Sequence, residues 1–151
     1  MPQDVITPQM AREAEATCVF TNLSTLAEAA TALFDRTMRP AGITVEQLGY
    51  LVCIHGLPDV TVEDLAARKA KDVTSVRAVL ARMYFRGLLR LPDRDDQPLA
   101  LTRDGCAKLD EGGALWSRAQ AQIVEAVGGP ETWDTMVRGL GDLFAAIRSS
   151  R

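Results

Sequence analysis

The sequence predicts a mainly α-helical chain with one small β-wing of two or three strands, on three observations. Apolar residues recur at helical spacing through most of its length. Residues 61–105, TVEDLAARKAKDVTSVRAVLARMYFRGLLRLPDRDDQPLALTRDG, read as two short amphipathic helices, a GLLRL strand, an acidic turn and a second strand ending in LTRDG. Longer helices flank that stretch on both sides. A helix–turn–helix followed by a hairpin is a winged helix–turn–helix, a module that lays its second helix in the DNA major groove.

In chain order, residues 11–39 are alanine-rich, with Val19, Leu23, Leu26, Ala30 and Leu33 on one face; Pro40 and Gly42 stop the helix. Thr44 and Gln47 form a capping box that opens a helix through His55, burying Val45, Leu48, Leu51 and Val52. Gly56 and Pro58 end it. Thr61 and Asp64 start a short helix that buries Val62, Leu65 and Ala66. Asp72 is the N-cap of the next helix, residues 72–86, where Val76, Val79, Leu80 and Met83 make one apolar stripe. After the wing, Thr102 caps a long helix to about Val127, closed by Gly128-Gly129. Gly112-Gly113 inside it costs about 1 kcal/mol per glycine relative to alanine, so a kink or a close helix crossing is expected there. Pro130 starts the last helix, with Trp133, Val137, Leu140, Phe144 and Ile147 on one stripe.

A chain of 151 residues builds one domain, with residues 44–101 as a DNA-binding lobe and residues 11–39 and 102–148 as dimerisation helices. So small a lobe cannot bury the stripes of both long flanks. A twofold homodimer solves this, and it sets two recognition helices about 34–36 Å apart to match a pseudo-palindromic site.

The net charge of −3 looks wrong for a DNA binder until it is mapped. Residues 68–94 hold eight basic and two acidic side chains, leaving nine basic and eighteen acidic elsewhere. A solvated helix face is the bland explanation of such a run; its coincidence with the helix–turn–helix points instead to double-stranded DNA. Thr74, Ser75 and Arg77 are expected to reach base edges, Lys71, Arg82 and Arg86 to hold phosphates, and Arg94 to work from the wing.

No phosphate-cradling glycine loop, G-x-S-x-G or H-E-x-x-H is present, so no enzyme, cofactor or metal is expected. His55, the one histidine, sits at a helix end, where its cation suits the helix dipole. Apolar runs fall short of a membrane span, and MPQDVITPQM has no basic region followed by an apolar stretch, which makes the cytoplasm the default. Trp116 and Trp133 are candidates to line a ligand pocket, though tryptophan at helical spacing is more often core.

Four stretches together resemble the MarR-type transcriptional regulators: LFDRTMRPAGITVEQLGYL, TVEDLAARKAKDVTSVRAVLARMYFRGLL, the LT-x-x-G of residues 101–105, and LWSRAQAQIVEAVGG. The resemblance covers residues 22–147 and implies a homodimeric repressor or activator. It also implies a small phenolic or other apolar effector, or an oxidant, acting between the dimerisation helices and the DNA-binding lobe. Two features depart from the pattern. Ala78 stands where the recognition helix commonly has arginine, with Arg77 one residue earlier; and the short wing reads Asp95-Asp96-Gln97-Pro98, with Asp93 also beside Arg94. They leave an alternative, a fold of this type whose weakened DNA contacts make it a ligand-binding or protein-interaction module. Cys18, Cys53 and Cys106 form no C-x-x-C pair, so free thiols in a reducing compartment are expected. Cys53 and Cys106 read as small buried hydrophobes. Cys18 falls where some peroxide sensors of this type carry a reactive cysteine, and it shares with Trp116 the place of candidate redox or effector residue.

Overall fold

The computed structural model describes residues 6–94 and 96–149; Asp95 of the acidic turn and the first five residues of the N-terminal stretch lie outside the described residues. Helices α1 (Pro8–Thr17), α2 (Val19–Met38), α3 (Val45–Gly56), α4 (Val62–Lys69) and α5 (Val73–Phe85) precede a two-stranded antiparallel sheet, β1 (Leu89–Arg90) and β2 (Ala100–Leu101). Helices α6 (Arg103–Ala126) and α7 (Pro130–Ser149) follow. The strands pair Leu89 with Leu101 and Arg90 with Ala100. None of the described helices is long and apolar enough to cross a membrane.

Local signals set most of the boundaries. The Thr44/Gln47 and Thr61/Asp64 capping boxes are both closed in both directions. Asp72 caps α5 and Thr102 caps α6. Gly87, at φ +72°, ends α5: its N–H donates to the Tyr84 carbonyl (2.8 Å) and that of Leu88 to Met83 (3.0 Å), the double bond pattern that stops a helix cleanly.

Two expectations need correction. The N-terminal helix begins earlier than residue 11 and is not continuous to 39. It breaks at Cys18, whose extended backbone (ψ 117°) separates α1 from α2. The Asn22 side-chain amide holds the break, donating to the carbonyls of Ala16 (3.1 Å) and Cys18 (2.9 Å). In α3 the buried face is rotated by roughly a quarter turn from the expected one: Tyr50 and Ile54 are buried with Leu48 and Leu51, whereas Val52 is exposed and Val45 only half-buried.

The core lies almost wholly in the middle of the chain. Every buried hydrophobic except Ala119 falls between Met38 and Leu99, and α1 and α7 contribute none. Val76, Val79, Leu80 and Met83 of α5 are buried as the spacing predicts, against Leu65 and Ala66 of α4 and the wing leucines in one cluster. Each such side chain stabilises the lobe by about 1.5–3 kcal/mol relative to leaving it in water.

Two glycines let α6 pack. Gly112 is buried where α6 meets the entry to α3, and a Cβ there would lie 2.8 Å from Ile43 Cδ1. Of the two expectations for that pair, the close crossing is the one observed. Gly105 is more constrained. A Cβ would fall 1.9 Å from the Leu88 carbonyl oxygen, which accepts the Thr102 N–H at 3.1 Å, while the Thr102 hydroxyl donates to the Gly87 carbonyl at 2.5 Å. The glycine of LT-x-x-G is therefore the space through which α6 meets the end of α5. Gly105→Ala is expected to destabilise the protein by about 3 kcal/mol or more, because rigid backbone must shift. Gly113→Ala, with nothing within 4 Å of its new methyl, is expected to gain about 0.5–1 kcal/mol. Thermal unfolding of the two variants checks both signs.

Candidate nucleic-acid interface

Burial of one side of α5 dictates what the other side presents. With about 100° per residue, the core stripe turns Thr74 and Ala78 directly outward, both exposed. Arg77 and Arg82 are exposed on opposite flanks of that face. Thr74 therefore places a hydrogen-bonding side chain, and Ala78 a methyl group, between two arginines on a helix whose other side is fixed in the core.

The expected residues differ in how much of their bonding capacity is already used. Ser75 belongs to the helix start: its N–H and hydroxyl both donate to the Asp72 carboxylate, at 2.8 and 2.7 Å. Lys71 is exposed beside Glu46 of α3 and forms an ion pair with it; that hydrogen bond holds its ammonium pKa above the ordinary lysine value. Next to it, Lys69 lies over the Tyr50 ring, 5.5 Å from the centroid. Arg94 turns back on the wing, donating from Nε and Nη2 to the two Asp96 carboxylate oxygens at 3.0 and 2.7 Å. Arg86 sends Nη2 to the Gly42 carbonyl (2.6 Å) and Nη1 to Gln47 Oε1 (3.1 Å). Thr74, Arg77 and Arg82 thus make the outward face of the helix, and Lys71, Ser75, Arg86 and Arg94 stand around it.

Sequence reasoning missed the aromatic end of this face. Phe85 is 83% exposed and Tyr84 47% exposed, packed edge to face with ring centroids 5.6 Å apart. The signal was available: at about 100° per residue, Phe85 falls opposite the Val76–Met83 stripe.

The two candidate effector residues stand apart. Cys18, free and half-buried, occupies the N-cap of α2. The Thr21 side chain and then its backbone amide hold the thiol below its ordinary pKa, the environment that favours a thiolate at a helix N-terminus. Cys53 and Cys106, both expected to be buried, are only half-buried: Cys53 packs against the edge of the core, and Cys106 lines a small cleft of about 400 Å³ between the end of α3 and β2. A larger, almost wholly apolar groove of about 750 Å³ runs between α2, α6 and α7, lined by Leu33, Phe34, Ile123, Trp133, Met136 and Leu140 among others. Trp116 is not in its lining; it lies one turn before Gln120 on the same face of α6, 42% exposed. The groove is confined to the helical flanks and does not reach between them and the wing lobe.

No family model and no curated protein matches the chain. Solved structures do. The M. tuberculosis transcriptional regulator MosR superposes with a TM-score of 0.81 at 28% identity, over 90% of this chain and 99% of its own. The same regulator in complex with DNA gives 0.75 at 27% identity, over 87% and 98%. The repressor CouR, known also from Rhodococcus jostii, bound to p-coumaroyl-CoA gives 0.79 at 19% identity, over 86% of this chain and 94% of its own. A MarR mutant from E. coli complexed with operator DNA gives 0.74 at 16% identity, over 86% and 96%.

One prediction comes from the helix start alone. Hydrogen bonds from the Ser75 side chain and amide depress the Asp72 carboxyl pKa. A depressed folded-state pKa gives stability that is present above the ordinary aspartate value, about 3.9, and is lost as pH falls through the folded value. Asp72→Ala is therefore expected to lower Tm at pH 7, with the gap to the parent protein closing below about pH 4. Calorimetry across pH 2.5–7 checks it; a gap independent of pH contradicts the cap.

Proposed function

Because the chain has the winged helix–turn–helix fold of the MarR-type regulators, we propose that it is a dimeric DNA-binding transcriptional regulator whose operator affinity changes when an effector engages the helical flanks. The observation that carries this reading is the outward face of α5: Thr74 between Arg77 and Arg82, all exposed, on a helix whose other side is locked in the core. Arg77 and Thr74 reach base edges, Arg82 and Lys71 hold phosphates, and Arg94 reaches DNA from the wing on leaving Asp96.

The homodimer follows from the uncovered flanks. Leu26, Met136, Val137, Leu140, Phe144 and Ile147 are each 46–57% exposed along or beside the α2–α6–α7 groove. Contiguous apolar patches of this kind mark interfaces, and a second copy laid against them by a twofold axis buries the same residues on both sides. A small apolar or phenolic ligand entering that seam would favour one angle between protomers over another, and so one spacing of the two α5 helices. It acts only by binding one arrangement more tightly than the other. Oxidation of the activated Cys18 thiol at the α1–α2 joint is the corresponding oxidant route.

A second reading has its own observation. Ser75, Lys71, Arg86 and Arg94 all have partners inside the chain, and Ala78 adds no hydrogen bond at the centre of the face. A protein of this fold that no longer reads DNA, and serves as a ligand-binding or protein-interaction module, would look similar. Selection from random duplex DNA, followed by anisotropy at two salt concentrations, separates the two: an enriched pseudo-palindrome bound with a steep salt slope supports the regulator, and equal weak binding to all sequences supports the module.

On the selected site, Arg77→Ala is expected to lose about 1–3 kcal/mol and to relax preference at one base pair per half-site; a uniform loss across sequences would make Arg77 a phosphate contact only. Mild peroxide is expected to weaken DNA binding by the parent protein and to leave Cys18→Ser unaffected. An equal response of the two excludes Cys18 as the sensor.

A further inference from the structure

Arg86 is the C-cap of α5, and its guanidinium is directed away from the outward face of that helix into the joint between α2 and α3. Three elements meet there. Gly42, at φ +67°, closes the short 3-10 turn (Arg39–Ala41) that continues α2, and its carbonyl accepts Arg86 Nη2 at 2.6 Å. Gln47 Oε1 accepts Arg86 Nη1 at 3.1 Å and also the Thr44 N–H at 3.1 Å, so one oxygen serves both the capping box of α3 and the end of α5. Asp35 of α2 accepts the Val45 N–H at 2.7 Å, fixing the start of α3 to α2 itself. On its other side the end of α5 is held by α6, through Leu88 and Thr102.

We propose that Arg86 is a positioning residue that ties the recognition helix α5 to the end of the flanking helix α2, and that it is not a phosphate ligand. Its planar fork meets two acceptors at once, which lysine cannot reproduce. Moving the guanidinium out to a phosphate would break both of these charge-assisted hydrogen bonds. α2 lines the apolar groove and α5 carries the exposed recognition face. A shift of α2 therefore moves the Gly42 carbonyl, and either α5 follows or the Arg86–Gly42 bond breaks. This assignment rests on the DNA-binding reading, and it replaces the phosphate role that the sequence alone gives Arg86.

The test compares Arg86→Met, Arg86→Lys and Arg82→Met in the full chain, on the selected duplex and on random duplex DNA. Arg86→Met is expected to lower affinity for the selected site about tenfold while leaving random-DNA affinity unchanged and the salt slope within about 0.3 of the parent value, and Arg86→Lys to recover part of the loss. Arg82→Met is expected to weaken both DNAs and to reduce the slope by about 0.9 per protomer. If Arg86→Met does the same as Arg82→Met, Arg86 is a phosphate ligand and the proposal falls. Amide exchange of the free protein supplies a readout independent of DNA. Arg86→Met is expected to speed exchange about tenfold in residues 42–47 and 85–88 together, and Arg82→Met in neither. Faster exchange in only one segment, or in none, overturns the tie even where the parent protein discriminates between DNAs. Joint acceleration in a parent protein that binds all DNA alike upholds the tie and removes the DNA-binding reading instead.

Discussion

The constraint on which the structure depends is that this chain holds a core for little more than its middle two fifths. From Met38 to Leu99 most apolar side chains close on one another; before and after, among the described residues, only Ala119 is a buried hydrophobic and the others keep contact with water. The middle is consequently a rigid platform. It needs only α2 at one end and α6 at the other to complete it, through Met38, Ile43 and the buried Gly112. The flanks are helical, but α1 and α7 bury none of their residues within this chain. Phe144 at 56% exposure and Leu26 at 57% belong to apolar helix faces that the rest of the described chain leaves uncovered.

Position of the recognition helix follows from how the platform is tied. Its start is set by the Asp72 cap, its length by the core stripe, and its end by Gly87 together with contacts to two neighbours. Arg86 grips the α2–α3 joint; the Leu88 carbonyl and Thr102 grip α6, and Gly105 is the empty volume that lets α6 approach. The helix that faces outward is thus anchored at its end to both flanking helices whose apolar faces remain open. The wing is less constrained: two residues per strand, and an arginine paired with its own neighbour two residues on.

Local chemistry made the platform legible in the sequence. Caps at Thr44, Thr61, Asp72 and Thr102 act within one turn, and the stripe of α5 needs only its own period, so each could be read without knowing the fold. The break at Cys18 could not, since no proline or glycine marks it and weak helix formers such as those of residues 17–22 also occur inside continuous helices. Its cause is the Asn22 side chain bonding backward to Ala16 and Cys18, a choice among several that asparagine has. The face of α3 was misjudged because that helix is covered by α2, α6 and the wing together, so burial does not follow one simple stripe. The role of Arg86 was out of reach for another reason. Its acceptors lie 39 and 44 residues away, and a basic residue beside a recognition helix looks alike whether it turns out to a phosphate or inward to a carbonyl. Trp116 was misplaced by a single turn, the distance between lining a groove and lying beyond its end.

Two claims, the open flanks closing on a second copy and the outward face of α5 reading DNA, come together in one observable. Hydroxyl-radical footprinting on the selected duplex, with the stoichiometry taken from a titration well above Kd, measures both. The account predicts two chains per site and two protected segments about 10 base pairs apart, centre to centre, related by the pseudo-dyad of the sequence. One chain per site with a single protected segment, at concentrations where the free protein is monomeric, would contradict it.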